Sequence, residues 1–261
     1  MNLKRVNTVL LHTWFHFTHS METWVDLFWN PVIDMLIFIF IAGALDISGN
    51  RTLGTSLILG KIFWNIIWDG QYGITVGALW EIWARSFSSL FITPLTMTEF
   101  IVGQMISSVI KSFVSFVVAA SMGFIFFHFS VVTLGWMLPV YFALLLLFGW
   151  AVGFLVLALI FKHGMNVQSL SWSLVFLVQP FGGVFYPVSV LPKILQNFAY
   201  CFPTTYIYEA MRQQLSTGFI DWHLIAWGFL VGSIYFIGGI SVFHWIFTQS
   251  KKNGSFVRME G

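Results

Sequence analysis

An acidic and a basic residue stand three positions apart in a largely apolar stretch near the C-terminal end of the sequence. They are Glu209 and Arg212, in the run YIYEAMRQQ. On an α-helix, residues at positions i and i+3 lie on the same face, so the two side chains can form an ion pair. Charge is costly to place among apolar groups, and the pair is therefore a candidate functional feature.

Three other charged residues interrupt long apolar runs: Asp34, Lys61 and Asp69. Asp34 follows Pro31 by about one helical turn, which predicts a position near the inner membrane interface. Lys61 is predicted near the outer end of its helix, where a long side chain reaches the interface. Asp69 is the deepest of the three. It either lines a hydrated pathway or forms a structural pair with a neighbouring helix.

Three histidines near the N-terminus, His12, His16 and His19, have helical spacing. Such a row could bind a metal or respond to pH. No acidic residue stands beside them in the sequence to support a metal site. We therefore interpret them as the polar face of a helix at the membrane surface.

The sequence contains no recognisable enzyme site. It lacks a nucleophile with its base, a metal cluster and paired carboxylates, and Cys201 is the only cysteine. The run GTSLILGK, from Gly54 to Lys61, is one residue too long for a phosphate-binding loop, and Ile62 replaces the required Ser or Thr. We expect the chain to be no enzyme, to carry no cofactor or metal, and to bind no nucleic acid.

The composition identifies an integral membrane protein. Of 261 residues, 58% are hydrophobic and only 8% are charged, whereas soluble domains carry about 25% charged residues. Too little polar surface is present to cover a globule in water. No linker, repeat or charge block divides the chain, so residues 1–261 are predicted to form one transmembrane domain.

The apolar pattern predicts an all-α fold with six transmembrane helices. An amphipathic helix at the membrane interface, residues 1–23, precedes them because apolar and polar residues from Leu3 to Met21 fall on opposite faces. The predicted spans are Leu27 to Leu45, Ser56 to Trp80, Phe100 to Phe127, Leu134 to Phe161, Ser169 to Phe185 and Trp222 to Phe247. Thr96 and Glu99 have the spacing of a capping box, which predicts the start of the third span.

Residues 186–218 are too apolar for a solvated loop and too interrupted by proline for one spanning helix. Pro187, Pro192 and Pro203 divide this stretch. We predict two short helices, Leu191 to Tyr200 and Thr204 to Leu215, that enter the membrane from one side and return. Irregular backbone at that depth requires cover from protein or a water-filled cavity, which places this element at the mouth of a pathway.

The distribution of basic residues predicts that both termini are cytoplasmic. The cytoplasmic side would then hold Lys4, Arg5, Arg85, Lys162, Lys251, Lys252 and Arg258, with Lys111 toward it. The external side would hold Arg51, Lys193 and Arg212, with Lys61 toward it. The excess of positive charge inside follows the rule for membrane proteins and makes residues 186–218 external.

The segment of residues 81–99, between the second and third spans, is longer than a helical hairpin requires. Phe87, Leu90 and Phe91 have helical spacing before Pro94. A short helix across the cytoplasmic face would fit, and it could dock a soluble partner. An ordinary interfacial loop is the alternative.

Two stretches resemble the ABC-2 type transporter permeases, the membrane subunits of one class of ATP-driven exporters. The first is GGVFYPVSVLP, from Gly182 to Pro192, followed by ILQNFAYCFPTTYIYEAMR, from Ile194 to Arg212, and Gly218. The second is RSFSSLFITPLTMTEFIVGQ, from Arg85 to Gln104. The resemblance extends from Pro31 to about Phe247.

The resemblance implies partners. A separate nucleotide-binding subunit, present in two copies with Mg-ATP, would dock on residues 81–99, called the coupling segment below, and on the N-terminal helix. Two copies of the permease would complete the transporter in the plasma or inner membrane. The implied coupling residues are Arg85, Ser86, Phe87, Ser88, Leu90, Phe91, Thr93 and Pro94.

The expected function is export driven by ATP hydrolysis in the partner. A hydrophobic or amphiphilic substrate is predicted, namely a drug, a lipid or a lipid-linked glycan. Small hydrophobic molecules rank ahead of glycans because the spans offer few polar neighbours to the aromatic residues. An ion-coupled carrier or channel is the alternative, and a membrane-embedded enzyme is a third hypothesis.

Overall fold

Helices form all the regular secondary structure in residues 1–86 and 93–252, the part of the chain that the computed structural model describes. The α-helices are α1 (Leu3–His19), α2 (Met21–Trp24), α3 (Asn30–Ile47), α4 (Arg51–Trp83), α5 (Met97–Phe127), α6 (Leu138–His163), α7 (Leu170–Ser173), α8 (Lys193–Ala199), α9 (Pro203–Thr217) and α10 (Trp222–Lys252). Short 3₁₀ segments lie at Val131–Met137, Gly164–Val167, Leu174–Val178 and Val188–Val190.

A π-helical turn at Val25–Trp29 joins α2 to α3. Pro31 follows it at the start of α3, where the backbone N–H of Asn30 bonds to the carbonyl oxygen of Val25. Proline lacks an N–H and its ring collides with the carbonyl group one turn earlier, so a widened turn accommodates it without breaking the helix. The first predicted span is therefore part of a longer helical run that begins near Met21.

The predicted capping box at the start of α5 is confirmed. The Thr96 hydroxyl oxygen accepts a hydrogen bond of 3.3 Å from the Glu99 backbone N–H. One Glu99 carboxylate oxygen accepts one of 3.1 Å from the Thr96 backbone N–H. Two backbone donors that a helix start leaves unpaired are thus satisfied by the two side chains.

Four stretches of the described chain are long and apolar enough to cross a membrane: Val25–Ile47, Met97–Phe127, Val131–Val167 and Trp222–Lys252. They match the first, third, fourth and sixth predicted spans. Helix α4 covers the second, and its 33 residues are long enough to cross, but it is less apolar. These helices show a multi-pass membrane protein.

The fifth predicted span, Ser169 to Phe185, does not form one long helix. The chain there consists of α7 and the 3₁₀ turn Leu174–Val178, and turns replace the helix from Gln179 onward. Pro180 cannot donate a helical hydrogen bond, and Gly183 has a positive φ of 62°. These two residues end the helix before the predicted boundary.

Helices α4 and α6 form the centre of the bundle, with α10 packed on the far side of α6. Glycine allows the close approach of α4 and α6: a Cβ atom at Gly149 would lie 2.6 Å from the carbonyl oxygen of Ile67. Ser108 on α5 is fully buried and packs on Gly73 of α4. Gly149, Gly73 and Ser108 therefore serve the close packing of helices within one chain.

Candidate functional site

Arg212 and Glu209 on α9 hold the turn that precedes α8. One Arg212 guanidinium nitrogen lies 3.3 Å from a Glu209 carboxylate oxygen. The other donates a hydrogen bond of 2.8 Å to the Val184 carbonyl oxygen and a second, shorter one to that of Gly183. The same Glu209 oxygen accepts a hydrogen bond of 2.8 Å from the Val188 backbone N–H. The pair is intrachain, and it satisfies backbone groups that no regular element covers.

This turn is packed tightly against α4 and α9. A Cβ atom at Gly60 would collide with the Val184 carbonyl oxygen, and one at Gly182 would lie 2.5 Å from the Thr204 hydroxyl oxygen. Tyr208 is fully buried, and its hydroxyl group lies 3.5 Å from the Gly60 carbonyl oxygen. Glycine is required at positions 60 and 182 because the backbones approach too closely for any side chain.

Each of the three singled-out prolines stands at a helix boundary. Pro187 precedes the 3₁₀ turn Val188–Val190, Pro192 precedes α8, and Pro203 is the first residue of α9. A missing N–H costs nothing at a helix start, where that group has no intrahelical partner. The two predicted short helices are therefore confirmed as helices, with boundaries shifted by a few residues. Their depth in a membrane stays a prediction.

A cavity of about 540 Å³, lined by both charged and aromatic side chains, lies between α1, α3, α4, α5 and the segment from α7 to Val178. Its charged lining residues are Asp26, Asp34, Lys61, Asp69, Glu81 and Lys111. Aromatic lining residues are Trp64, Trp68, Tyr72, Trp80, Trp172 and Phe176. The predicted pathway residue Asp69 thus faces a cavity inside one chain.

Asp34 and Lys61 form an ion pair, with 2.8 Å between the ammonium nitrogen and a carboxylate oxygen. The prediction that they lie near opposite membrane interfaces was wrong. Helix α3 continues from α2 through the π-helical turn, so Asp34 lies several turns along a helical run that starts at Met21. Lys61 is only 6% exposed, and its charge is balanced by a partner at the same depth.

The three histidines of α1 have different surroundings. A ring nitrogen of His12 lies 3.3 Å from a carboxylate oxygen of Glu81, and the ring of His16 packs at 4.7 Å on that of Trp80. His19 bonds to the backbone of its own helix. The sequence showed no acidic partner for the row, because Glu81 belongs to a distant part of the chain.

Helix α1 contacts both ends of the coupling segment. At its first residue, Glu81 pairs with His12 and accepts a hydrogen bond of 2.5 Å from the Ser86 hydroxyl group. At its last residue, Glu99 pairs with Arg5 at 3.6 Å. Arg85, with a positive φ of 54°, and Ser86 follow the end of α4, and Thr93 and Pro94 lie in a turn before α5. Phe87, Ser88, Leu90 and Phe91 lie outside the described residues, as does the predicted short helix.

Sequence reasoning missed Asp26, Asn65 and the role of Glu81. Asp26 lies in the π-helical turn and accepts a hydrogen bond of 2.6 Å from the Tyr72 hydroxyl group. Asn65 is buried in α4. The signal that could have found Asn65 is its position four residues from both Lys61 and Asp69, which places these three residues on one helix face. No comparable spacing singles out Glu81.

One family model matches most of the chain: the ABC-2 type transporter model covers residues 8–216. The match includes most of α1, the cavity, the coupling segment and the pair formed by Glu209 and Arg212. No curated protein matches the chain. The chain therefore belongs to the ABC-2 type transporter family, and it is a multi-pass permease component of an ABC-type transporter.

Proposed function

We propose that the chain is the membrane subunit of an exporter that is driven by ATP hydrolysis in a separate subunit. Two copies of that subunit would press on the cytoplasmic face of two permease chains in the plasma or inner membrane. The substrate is amphiphilic or hydrophobic: a drug, a lipid or a lipid-linked glycan. The observation that carries the proposal is the family match over residues 8–216, because members of this family work with an ATP-binding subunit.

In this proposal six segments cross the membrane, with α4 as the second and the stretch from Ser169 to Phe185, which is helical only as far as Val178, as the fifth. Helix α1 lies along the cytoplasmic interface, where Trp14 and Leu11 are exposed to reach lipid. The element of α8 and α9 lies on the external side. Both termini are cytoplasmic.

The contacts of α1 support a route for mechanical coupling. Glu81 and Glu99 are the first and last residues of the coupling segment, and each has a partner on α1. A push on that segment by the nucleotide-binding subunit would move α1, α4 and α5 together. Because α4 also packs against the turn at Val184, the motion would reach the external element and open a path outward.

The test is a search for an ATPase with an intact phosphate-binding loop in the reading frames beside the permease gene, followed by its assembly with the permease. We expect the two proteins to purify as one complex, and a cysteine introduced at Thr93 to cross-link to the ATPase. A cysteine at Thr217, on the far end of α9, is the matched control and should not cross-link. Absence of any nucleotide-binding partner in the purified material would contradict the proposal.

One observation favours a second candidate, an ion-coupled carrier. The cavity holds the Asp34 and Lys61 pair together with Asp69, and charged groups within spans are typical of ion-coupled transport. Such a carrier would move its substrate with an ion gradient alone. Transport by the purified chain without nucleotide separates the two candidates.

A further inference from the structure

Helices α6 and α10 end side by side, and three lysines lie at their joined ends. The Ser250 hydroxyl group near the end of α10 donates a hydrogen bond of 3.0 Å to the Phe161 carbonyl oxygen near the end of α6. Both residues are buried. Lys162 follows Phe161, and Lys251 and Lys252 follow Ser250. This contact therefore brings the three lysines, called the basic patch below, to one level of the bundle.

The ammonium groups of the basic patch have no internal counter-charge. All three lysines are exposed, and none of them forms an ion pair with any side chain that the structure describes. Arg5, Lys61 and Arg212, in contrast, each pair with an acidic residue. Neighbouring positive charges repel one another, and an anion bound between them relieves this repulsion. The patch can bind such an anion without displacing an internal partner.

The opposite end of α10 indicates where the basic patch lies in a membrane. Trp222, the first residue of α10, is exposed, and its ring lies 5.7 Å from that of Trp136, which is also exposed. Exposed tryptophans are typical of the membrane–water interface. From Trp222 to Lys252 the helix rises about 45 Å, and a bilayer with its headgroups is about 40–45 Å thick. The basic patch therefore reaches the headgroups of the opposite leaflet.

An apolar strip on α10 continues from the patch toward the centre of the bilayer. Trp245 is 57% exposed and lies two turns before Lys252 on the same helix face. This spacing corresponds to about 10 Å, so the indole lies where headgroups meet acyl chains. Its ring can contact an acyl chain while its N–H donates to an ester oxygen. Val242, one turn deeper, is also exposed.

We infer that the basic patch and Trp245 bind one anionic phospholipid. Its phosphate group lies between the lysines, its ester groups lie near Trp245, and an acyl chain follows the strip to Val242. A phospholipid carries these three groups in the same order as the protein carries their partners. Each lysine close to a membrane surface strengthens the attraction of anionic lipid about fivefold. Three lysines therefore discriminate against lipids without net charge.

This site goes beyond the proposed function. Trp245, Lys251 and Lys252 lie after residue 216, where the family match ends, and neither a transported substrate nor an ATPase takes part. The bound lipid would hold the joined ends of α6 and α10 at the membrane surface. Transport by the chain would then depend on the anionic lipid content of the membrane.

The inference is tested with the full-length permease in detergent micelles, without ATPase or nucleotide. Phosphatidylglycerol and phosphatidylcholine with identical acyl chains are added in equal amounts, and native mass spectrometry counts the bound molecules of each. We expect each chain to retain one phosphatidylglycerol under activation that removes phosphatidylcholine. Equal retention of the two lipids would overturn the inference.

Two variants with the same loss of charge locate the site. Replacing all three lysines of the basic patch with glutamine should lower the affinity for phosphatidylglycerol about a hundredfold. The matched control removes three exposed charges elsewhere and should bind like the parent chain; it combines Lys4→Gln, Arg51→Gln and Lys193→Gln. Parental retention of phosphatidylglycerol by the patch variant would contradict the assigned site.

A third variant separates charge from folding. Arginine at the three patch positions keeps the positive charges and should retain the lipid, while thermal unfolding shows whether all variants are equally folded. Loss of phosphatidylglycerol from this arginine variant, with an unchanged melting temperature, would show that the patch does not act through its charge and would overturn the inference.

The alternative occupant of the basic patch is the ATPase. In that case the glutamine variant would keep its phosphatidylglycerol and lose binding of the ATPase, and this result would refute the lipid site. The two proposals fail in different experiments. A missing ATPase partner, or an inverted topology, would leave the lipid measurement intact, because micelles contain neither the ATPase nor two distinct leaflets.

Discussion

Arg212 donates a hydrogen bond of 2.8 Å to the backbone carbonyl oxygen of Val184, 28 residues earlier in the chain. This bond joins α9 to the turn at Gly183 and Val184, which follows α7 and the 3₁₀ turn Leu174–Val178. The Arg212 side chain is only 10% exposed and also contacts Glu209. A single guanidinium group therefore fixes the geometry of the proposed external element.

Replacing Arg212 with alanine should abolish export while the permease still assembles with its partner. The change leaves Glu209 without its cation and two carbonyl groups without a donor, at a cost of about 3 kcal/mol in stability. The bundle core of α4 and α6 does not depend on this residue. Arg212→Lys is the control: it keeps the charge but cannot bond to both carbonyl groups and Glu209, so we expect partial export. Wild-type export by Arg212→Ala in vesicles would remove the assigned role.

Two glycine substitutions, one at a close contact and one in open space, test how closely α4 approaches the turn at Val184. Gly60→Ala places a methyl group against the Val184 carbonyl oxygen and should lower the free energy of unfolding by about 2 kcal/mol. Gly43→Ala, in α3, meets nothing within 4 Å and should raise it by about 1 kcal/mol through helix propensity. Thermal unfolding in one detergent compares the two. Equal stability would show that the turn does not press on α4.

Glu99 should link α1 to the coupling segment. Glu99→Ala removes the carboxylate half of the capping box, the hydrogen bond from the Asn2 backbone N–H and the contact with Arg5. We expect a modest loss of stability, because the hydrogen bond from the backbone N–H of residue 99 to Thr96 remains. The more specific effect is uncoupling: the ATPase should keep hydrolysing ATP while export falls. Glu99→Gln retains the side-chain cap without the charge. Its export should lie between that of Glu99→Ala and that of the parent chain. Export that stays proportional to ATP hydrolysis in Glu99→Ala would exclude a coupling role.

The only cysteine reports on orientation. Cys201 is exposed and lies between α8 and α9. If this element is external, a membrane-impermeant maleimide should label Cys201 in intact cells. In a Cys201→Ser background, Thr248→Cys near the end of α10 should react only after the cells are permeabilised. The opposite pattern of labelling would invert the proposed topology.

The parts of the fold that depend on local chemistry were predictable from the sequence. The capping box of Thr96 and Glu99 involves residues three apart, and Pro187, Pro192 and Pro203 each stand at the start of a helical element. Their effects act within a few residues of backbone. The sequence therefore indicated the short helices around residue 200 and the start of α5.

The cavity could not be predicted in the same way, because its contacts join distant residues. Asp34 meets Lys61 because α3 packs against α4 with these two residues at the same level. Glu81 meets His12 only after α1 packs across α5 and reaches the end of α4. Such pairings depend on helix register and crossing, which periodicity within one helix does not determine.

ATP dependence of substrate movement is the most direct test of the central claim. The permease and its ATPase are reconstituted in vesicles, and export of a labelled substrate is followed with ATP, without nucleotide, and with an ATPase that lacks its phosphate-binding lysine. We expect export only with ATP and the intact ATPase. Movement at the same rate by the permease alone, with no nucleotide, would contradict the account.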